Sequence, residues 1–310
     1  MSNLTQRVLT AVVAIPIILL ICIEGGWYFF CFIAIASGIA LHEYYMLARA
    51  KGTQPQIVPG IIAGFFVNLS FFNDKFQLLQ ASMPWAKMMP YPSQPQFLMI
   101  TLIISVAAMG VIELFRNNGS AMLNLSTTLL GIVYISLFFG TFIGIREIFS
   151  PLDFPMLKYF TTISVEAVDK VYRLGGYTVI SVFATIWLCD TAAFHVGKAV
   201  GKHKLFPRVS PNKTWEGGIA GFVTAIVTAI AAKYLVLEYL PLGGAIIIGF
   251  IVGVFGQLGD LLESLLKRDA GVKDSSQLIP GHGGAFDRFD SLLLVAPIVY
   301  LYLDFVLFAQ

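Results

Sequence analysis

The sequence predicts an all-α, polytopic integral membrane protein with about nine transmembrane helices and a cytoplasmic N-terminus. Three observations carry this. Hydrophobic residues make up 57% of the 310-residue chain and charged residues only 12%, against about 25% charged in a soluble domain. Mean hydropathy is +0.79, and so apolar a chain has too few polar side chains to cover a water-facing surface. Apolar runs of about 20 residues, the length that spans a hydrocarbon core, also recur from end to end.

The candidate spans fall at about 8–23, 27–47, 57–72, 97–115, 120–145, 176–198, 217–238, 242–262 and 291–309. The first follows Arg7 and ends in Ile-Cys-Ile-Glu without a small-residue cleavage site, so it is expected to be retained as an anchor. The third is short and interrupted by Pro59 and Asn68, which makes it the weakest of the set. With the N-terminus inside, the cytoplasmic segments carry 13 Lys and Arg and the outer segments 7, the asymmetry that sets orientation. The outer stretches 73–96 and 146–175 are mixed in charge and show no chemistry. The cytoplasmic stretches 199–216 and 260–290 carry nearly all the signal. Residues 1–310 read as a single transmembrane domain without repeats or a soluble module. A net charge of +2 and the lack of an Arg-rich stripe give no case for a nucleic-acid partner. Cys22, Cys31 and Cys189 all lie in apolar runs and read as free core thiols.

The few charges are not scattered. Asp260, Glu263, Asp269, Asp274, Asp287 and Asp290 fall within 31 positions, interleaved with Lys267, Arg268, Lys273 and Arg288. In GQLGDLLESLLKRD, the residues Gln257, Asp260, Glu263 or Ser264, and Lys267 recur every three or four positions and share one helical face. A carboxylate at mid-helix in the membrane costs about +2.5 to +3.5 kcal/mol, so Asp260 is expected near the interface or beside a partner. Pro280-Gly281-His282-Gly283-Gly284 is a side-chain-poor turn where backbone can approach a ligand. If residues 287–290 open the last span, Asp287 and Asp290 share a face. They then supply the paired hard oxygens that suit Mg²⁺ when it also holds substrate phosphates. Arg288, with Lys267 or Lys273, would supply countercharge for a polyphosphate.

The other loop, GKHKLFPRVSPNKTWEGG, is basic through Lys198, Lys202, Lys204, Arg208 and Lys213 against Glu216. On charge alone it could simply fix topology. Ser210 to Gly218, however, sets hydroxyl, ammonium and carboxylate just before a span whose N-terminal N–H groups can receive an anion. Asp190, on the same side, faces this site or pairs with Lys198. Metal-suited acids, phosphate-suited cations and no nucleophile–base pair together point to phosphoryl or nucleotidyl transfer.

Residues 264–290, SLLKRDAGVKDSSQLIPGHGGAFDRFD, resemble the signature of the CDP-diacylglycerol synthases (phosphatidate cytidylyltransferases). Ser264, Lys267-Arg268, Lys273-Asp274, Pro280, His282-Gly283-Gly284, Asp287-Arg288 and Asp290 all fall in register. The segment SPNKTWEGG is similar to the family's second motif. The resemblance implies Mg²⁺-dependent transfer of the cytidylyl group of CTP to phosphatidate, giving CDP-diacylglycerol and pyrophosphate for phospholipid biosynthesis. It also implies a homodimer in the bilayer of a bacterial cytoplasmic (inner) membrane, with the active site facing the cytoplasm.

On that reading Asp260, Asp287 and Asp290 hold one or two metal ions, a second metal or a monovalent cation included. Lys267, Arg268, Lys273 and Arg288 neutralise the triphosphate beside Ser264. Lys213, with Ser210 and Thr214, binds the phosphatidate headgroup or the other end of the triphosphate. Asp274 and Glu216 orient those cations, while His282 positions a phosphate or braces the turn formed with Gly283 and Gly284. Two other readings compete: a cytidylyltransferase acting on a different membrane phosphate, such as a polyprenyl phosphate, and a transporter of an anionic solute. Against the transporter, the charges cluster on one side and no inverted repeat is evident.

Overall fold

The computed structural model describes residues 3–73, 75, 91–149, 165–276 and 283–308. Among them the chain forms helices α1 (Asn3–Glu24), α2 (Gly26–Ala50), α3 (Ile57–Ser70), α4 (Gln94–Leu114), α5 (Ala121–Glu147), α6 (Val165–Val200), α7 (Trp215–Leu235), α8 (Leu242–Asp269) and α9 (Ala285–Leu307). Seven of these, α2 and α4 to α9, are long and apolar enough to cross a membrane. The weakest expected span is present as the 14-residue α3, and the first expected span lies within α1.

Three boundaries differ from the sequence expectation. Helix α6 begins at Val165, within the stretch expected to be an outer loop. Hydropathy stops there but the helix does not, because Arg173 Nε pairs with Asp169 Oδ2 one turn away at 2.8 Å and Lys170 Nζ reaches Glu238 Oε2 at 3.0 Å. Helix α8 runs on to Asp269 and α9 starts at Ala285, so much of 260–290 is helical. The loop 199–216 contains an antiparallel hairpin, β1 (Lys204–Phe206) with β2 (Ser210–Thr214), in which Lys204 faces Thr214 and Phe206 faces Ser210. Pro211 hides this strand in the sequence; an edge strand tolerates it.

The core sits among α2, α5, α6, α8 and α9, where Phe29, Leu41, Phe142, Val182, Val252, Leu292 and Val299 are buried together. Exposed apolar side chains such as Ile103 and Ile104 on α4 and Val223 and Val227 on α7 form the outer surface, as a lipid-facing bundle requires. Cys31 is exposed on that surface, unlike the buried Cys22 and Cys189, so only two of the three free thiols belong to the core. Helices α6 and α7 approach backbone to backbone: a Cβ on Gly217 would lie 2.5 Å from the Ala193 carbonyl oxygen. At the end of α5, fully buried Arg146 ties the end of α1 in place. Its Nε and Nη2 donate to the Cys22 and Ile23 carbonyls at 3.0 and 2.9 Å, and its guanidinium lies 4.1 Å from the Tyr172 ring. The hairpin, the C-terminal end of α8 and the first turn of α9 come together around the motif residues.

Candidate active site

The polar stripe of α8 carries two lysine–carboxylate centres. In the first, Lys213 of β2 reaches across to Asp260 with Nζ 2.6 Å from Oδ2, and both side chains are partly open at 25% and 33% exposure. Ser264 Oγ donates to Asp260 Oδ1 at 3.4 Å. Asp190 from α6 and Asp290 from α9 lie near enough that their charges act on Asp260, on each other and on Lys213. Three carboxylates thus share the field of one ammonium, with Asp260 the one paired to it among the described residues.

This centre lines a cleft of about 670 Å³ between α6, the hairpin, α7 and α8, within the usual size range of ligand pockets. Asp190 lines it, exposed, ten residues before the end of α6, or about 15 Å along the axis. Lys198, Lys204 and Asn212 supply polar groups to its walls, and Gly217 and Gly218 bring the N-terminus of α7 to it. Thr214 caps that helix by accepting the Gly217 N–H at 3.2 Å. Gln257 Nε2 donates to the Gly218 carbonyl at 3.0 Å, which fixes α7 against α8.

In the second centre, Lys267 Nζ stands 2.7 Å from Glu263 Oε2 and 2.7 Å from Asp287 Oδ1. Asp287, at the third position of α9, turns back on the start of its own helix. Its Oδ2 accepts the Gly284 N–H at 2.8 Å, the Ser275 N–H at 3.0 Å and the Ser275 hydroxyl at 2.8 Å. Gly283 has φ +79°, and a Cβ there would lie 2.7 Å from Asp287 Oδ2. The space beside Gly283 and Gly284 is filled by the protein's own Asp287 and Glu43 carboxylates. Asp287 and Asp290 do lie in the first turns of α9, but Asp287 faces Lys267 while Asp290 belongs electrostatically with Asp260.

Of the sequence candidates, Lys213, Thr214 and Asp260 line the cleft, and Ser264 and Asp290 adjoin Asp260. Lys267 and Asp287 form the neighbouring centre. Arg268, Lys273, Asp274 and Arg288 are exposed and do not line the cleft; Arg268 Nη1 donates to the Val272 carbonyl at 3.2 Å. Among the described residues no ion pair joins Glu216 to a lysine. Glu216 accepts from His203 Nδ1 at 2.7 Å and so clasps the base of the hairpin. Ser210 opens β2, opposite Phe206. His282 lies outside the described residues. Asp190 lines the cleft, and no ion pair joins it to Lys198 among the described residues.

Sequence reasoning missed Glu43, Ser275 and Ser276. Glu43, buried on α2, accepts hydrogen bonds from both serine hydroxyls and from the first N–H groups of α9. Its signal was its position, a carboxylate inside the apolar run IALHEYYML.

Among the described residues no three His, Cys, Asp or Glu side chains stand ready as a complete metal-ligand set. The donor chemistry at Asp190, Asp260 and Asp290 nevertheless fits a hard divalent cation, since Mg²⁺ commonly takes one or two carboxylates and completes its shell with water and substrate phosphate. Asp287 fits less well, because both its oxygens are already engaged by protein donors.

The model of the Cytidylyltransferase family matches residues 5–306. A phosphatidate cytidylyltransferase of Synechocystis sp. is 33% identical over 309 residues, covering 98% of this chain and 97% of that protein. The phosphatidate cytidylyltransferase of Bacillus subtilis is 32% identical over 303 residues, with 98% of each chain covered. That of Staphylococcus aureus is 31% identical over 297 residues, with 96% of this chain and 98% of the relative covered.

Proposed function

The chain belongs to the cytidylyltransferase family and makes CDP-diacylglycerol and pyrophosphate from CTP and phosphatidate; we propose that the cleft holding Lys213 and Asp260 is where it does so. One observation carries this reading: the cleft joins three phosphate-suited cations, Lys198, Lys204 and Lys213, to the carboxylates of Asp190 and Asp260. A phosphatidate oxygen attacks the α-phosphorus of CTP, a new P–O bond forms, and the bond to the bridging oxygen of the β-phosphate breaks to release pyrophosphate. The lipid phosphate is already anionic at neutral pH, so no strong general base is needed. The protein's part is positioning and charge neutralisation.

Lys213, Lys198 and Lys204 meet the phosphates, aided by the N–H groups at the start of α7. Asp260 and Asp290, with Asp190 behind them, would hold Mg²⁺, and a second or monovalent cation would draw on the same acids. When bound, the ion supplies positive charge to the triphosphate and to the leaving pyrophosphate. Asp287 keeps Lys267 in place beside this group. The excess of Lys and Arg on the same side of the spans supports a cytoplasmic site in a bacterial inner membrane. A homodimer rests on the family resemblance.

The test is pyrophosphate release by purified protein in mixed micelles with Mg²⁺, CTP and phosphatidate, omitting each in turn. Release is expected only with all three, with loss on chelation and recovery on adding Mg²⁺ back. Release that needs a different lipid phosphate would overturn the substrate, and release undiminished by chelation would overturn the metal.

A further inference from the structure

Glu43 stands apart from every sequence motif, yet it is the residue most fully committed to the motif region. It is 3% exposed, in the core-facing side of α2, and no cation pairs with it among the described residues. Four donors from two short stretches instead lie within hydrogen-bond distance of its oxygens, the single Ser275 proton being shared with Asp287. Oε1 accepts from the Ser276 hydroxyl at 2.6 Å and the Ala285 N–H at 3.1 Å. Oε2 accepts from the Ser275 hydroxyl at 3.0 Å and the Phe286 N–H at 2.8 Å. The fit is tight: a Cβ on Gly284 would lie 2.4 and 2.5 Å from these oxygens and 2.2 Å from Ser275 Oγ.

The bonding continues into the neighbouring centre. Ser275 Oγ lies between two carboxylates, 3.0 Å from Glu43 Oε2 and 2.8 Å from Asp287 Oδ2, and Asp287 in turn holds Lys267. The two α9 N–H groups bound by Glu43 belong to the turn that carries Asp287, and Asp290 follows one turn later. A carboxylate placed on those free N–H groups fixes the position and rotation of the start of α9.

We propose that Glu43 is a positioning residue for cytidylyl transfer: through Ser275 and the first turn of α9 it sets where Asp287 and Asp290 stand relative to Asp260 and Lys213. This rests on the reading that the Lys213–Asp260 cleft is the reaction site. Misplacement of a reacting group by about 1 Å can cost about 10²-fold in rate, so the effect falls on turnover and not on substrate affinity.

Glu43→Gln tests this, because it preserves shape. One oxygen takes the Ala285 N–H and the other the Phe286 N–H, so either orientation of the amide turns its NH₂ toward a backbone donor. The expected result is a kcat lower by about 10- to 100-fold, with KM for CTP and phosphatidate within about threefold of wild type and a protein that melts somewhat lower but is still fully folded at the assay temperature. Ser275→Ala should lower kcat in the same way, and the double variant should lose little more than Glu43→Gln alone, as residues acting in series do. Should Glu43→Gln not fold, Ser276→Ala removes a single donor and should still lower kcat several-fold at unchanged unfolding temperature. Unchanged kcat, a loss confined to KM, activity falling only in step with unfolding temperature, or multiplicative losses in the double variant would each overturn the proposal. Wild-type protein inactive with CTP and phosphatidate would instead overturn the underlying function.

Discussion

The two lysine–carboxylate centres on α8 use the same residue types one to two turns apart, yet they are built differently. Lys267 is 12% exposed, with Glu263 at 1% and Asp287 at 6%, and Asp287 receives further hydrogen bonds from Ser275 and Gly284. Lys213 and Asp260 are more open, at 25% and 33%, stand in a cleft and share the field of Asp190 and Asp290. A buried charged group is tolerated only when its partners are in place; Asp287 and Lys267 meet that condition with the protein's own atoms, while buried Glu263 rests on the Lys267 ammonium. The Lys213 centre opens on a cleft of about 670 Å³ that Lys198 and Lys204 also line, which leaves room for a ligand's phosphates and a cation beside its own groups. Residue type and spacing alone do not separate a bracing centre from a reacting one; the degree to which protein donors fill it does.

The largest expected effect breaks the open centre. Asp260→Asn should lower kcat by about 10³-fold or more, the scale of losing a charge-stabilising group in a preorganised site. Unfolding in detergent should stay close to wild type, since Asp260 is partly solvated. Activity within tenfold of wild type would mean that the cleft is not the reaction site.

The lysines give the sharper contrast. Lys213→Met should lower kcat/KM by about 10²-fold through lost phosphate neutralisation, with thermal unfolding little changed. Lys267→Met leaves Glu263 and Asp287 buried without their cation, a loss of about 3–5 kcal/mol. It should therefore melt well below wild type before any assay is run. Equal melting of the two variants would erase the distinction between the centres. Asp287→Asn belongs with Lys267 in this scheme. The sequence alone suggests a folded but inactive protein, whereas the hydrogen bonds to Ser275, Gly284 and Lys267 predict a lowered melting temperature as well.

Much of this was legible in the sequence because the relevant signals are local. Apolar runs of membrane length located the helices, and the three- and four-residue spacing from Gln257 to Lys267 placed the polar stripe of α8 on one face. Asp287 and Asp290 were legible as first-turn residues of the last helix. The pairing of Lys213 with Asp260 joins residues 47 positions apart on different elements, which no periodicity encodes. The same is true of the division of Asp260, Asp287 and Asp290 between two centres. The hairpin was masked by Pro211, and the extension of α6 by polar residues that pair with one another instead of facing lipid. Glu43 left a local mark, an acid within an apolar span, but its purpose depends on serines more than 230 positions away.

The smallest expected effect checks that the comparison concerns the cleft and not the whole end of α8. Lys51 Nζ lies 3.3 Å from Asp269 Oδ1, joining the end of α2 to the end of α8, with the side chains 48% and 62% exposed. Such a pair is solvated and screened, worth about 0.2–1 kcal/mol. Asp269→Asn should thus shift thermal unfolding only slightly and leave kcat within about twofold, although Asp269 follows directly after Lys267-Arg268 in the sequence signature. A large loss of kcat in Asp269→Asn, with unfolding unchanged, would show that the end of α8 must be tethered for Asp260 and Lys267 to be in place. The boundary between bracing and reacting residues would then have to move outward to include the C-terminal end of α2, from Glu43 to Lys51.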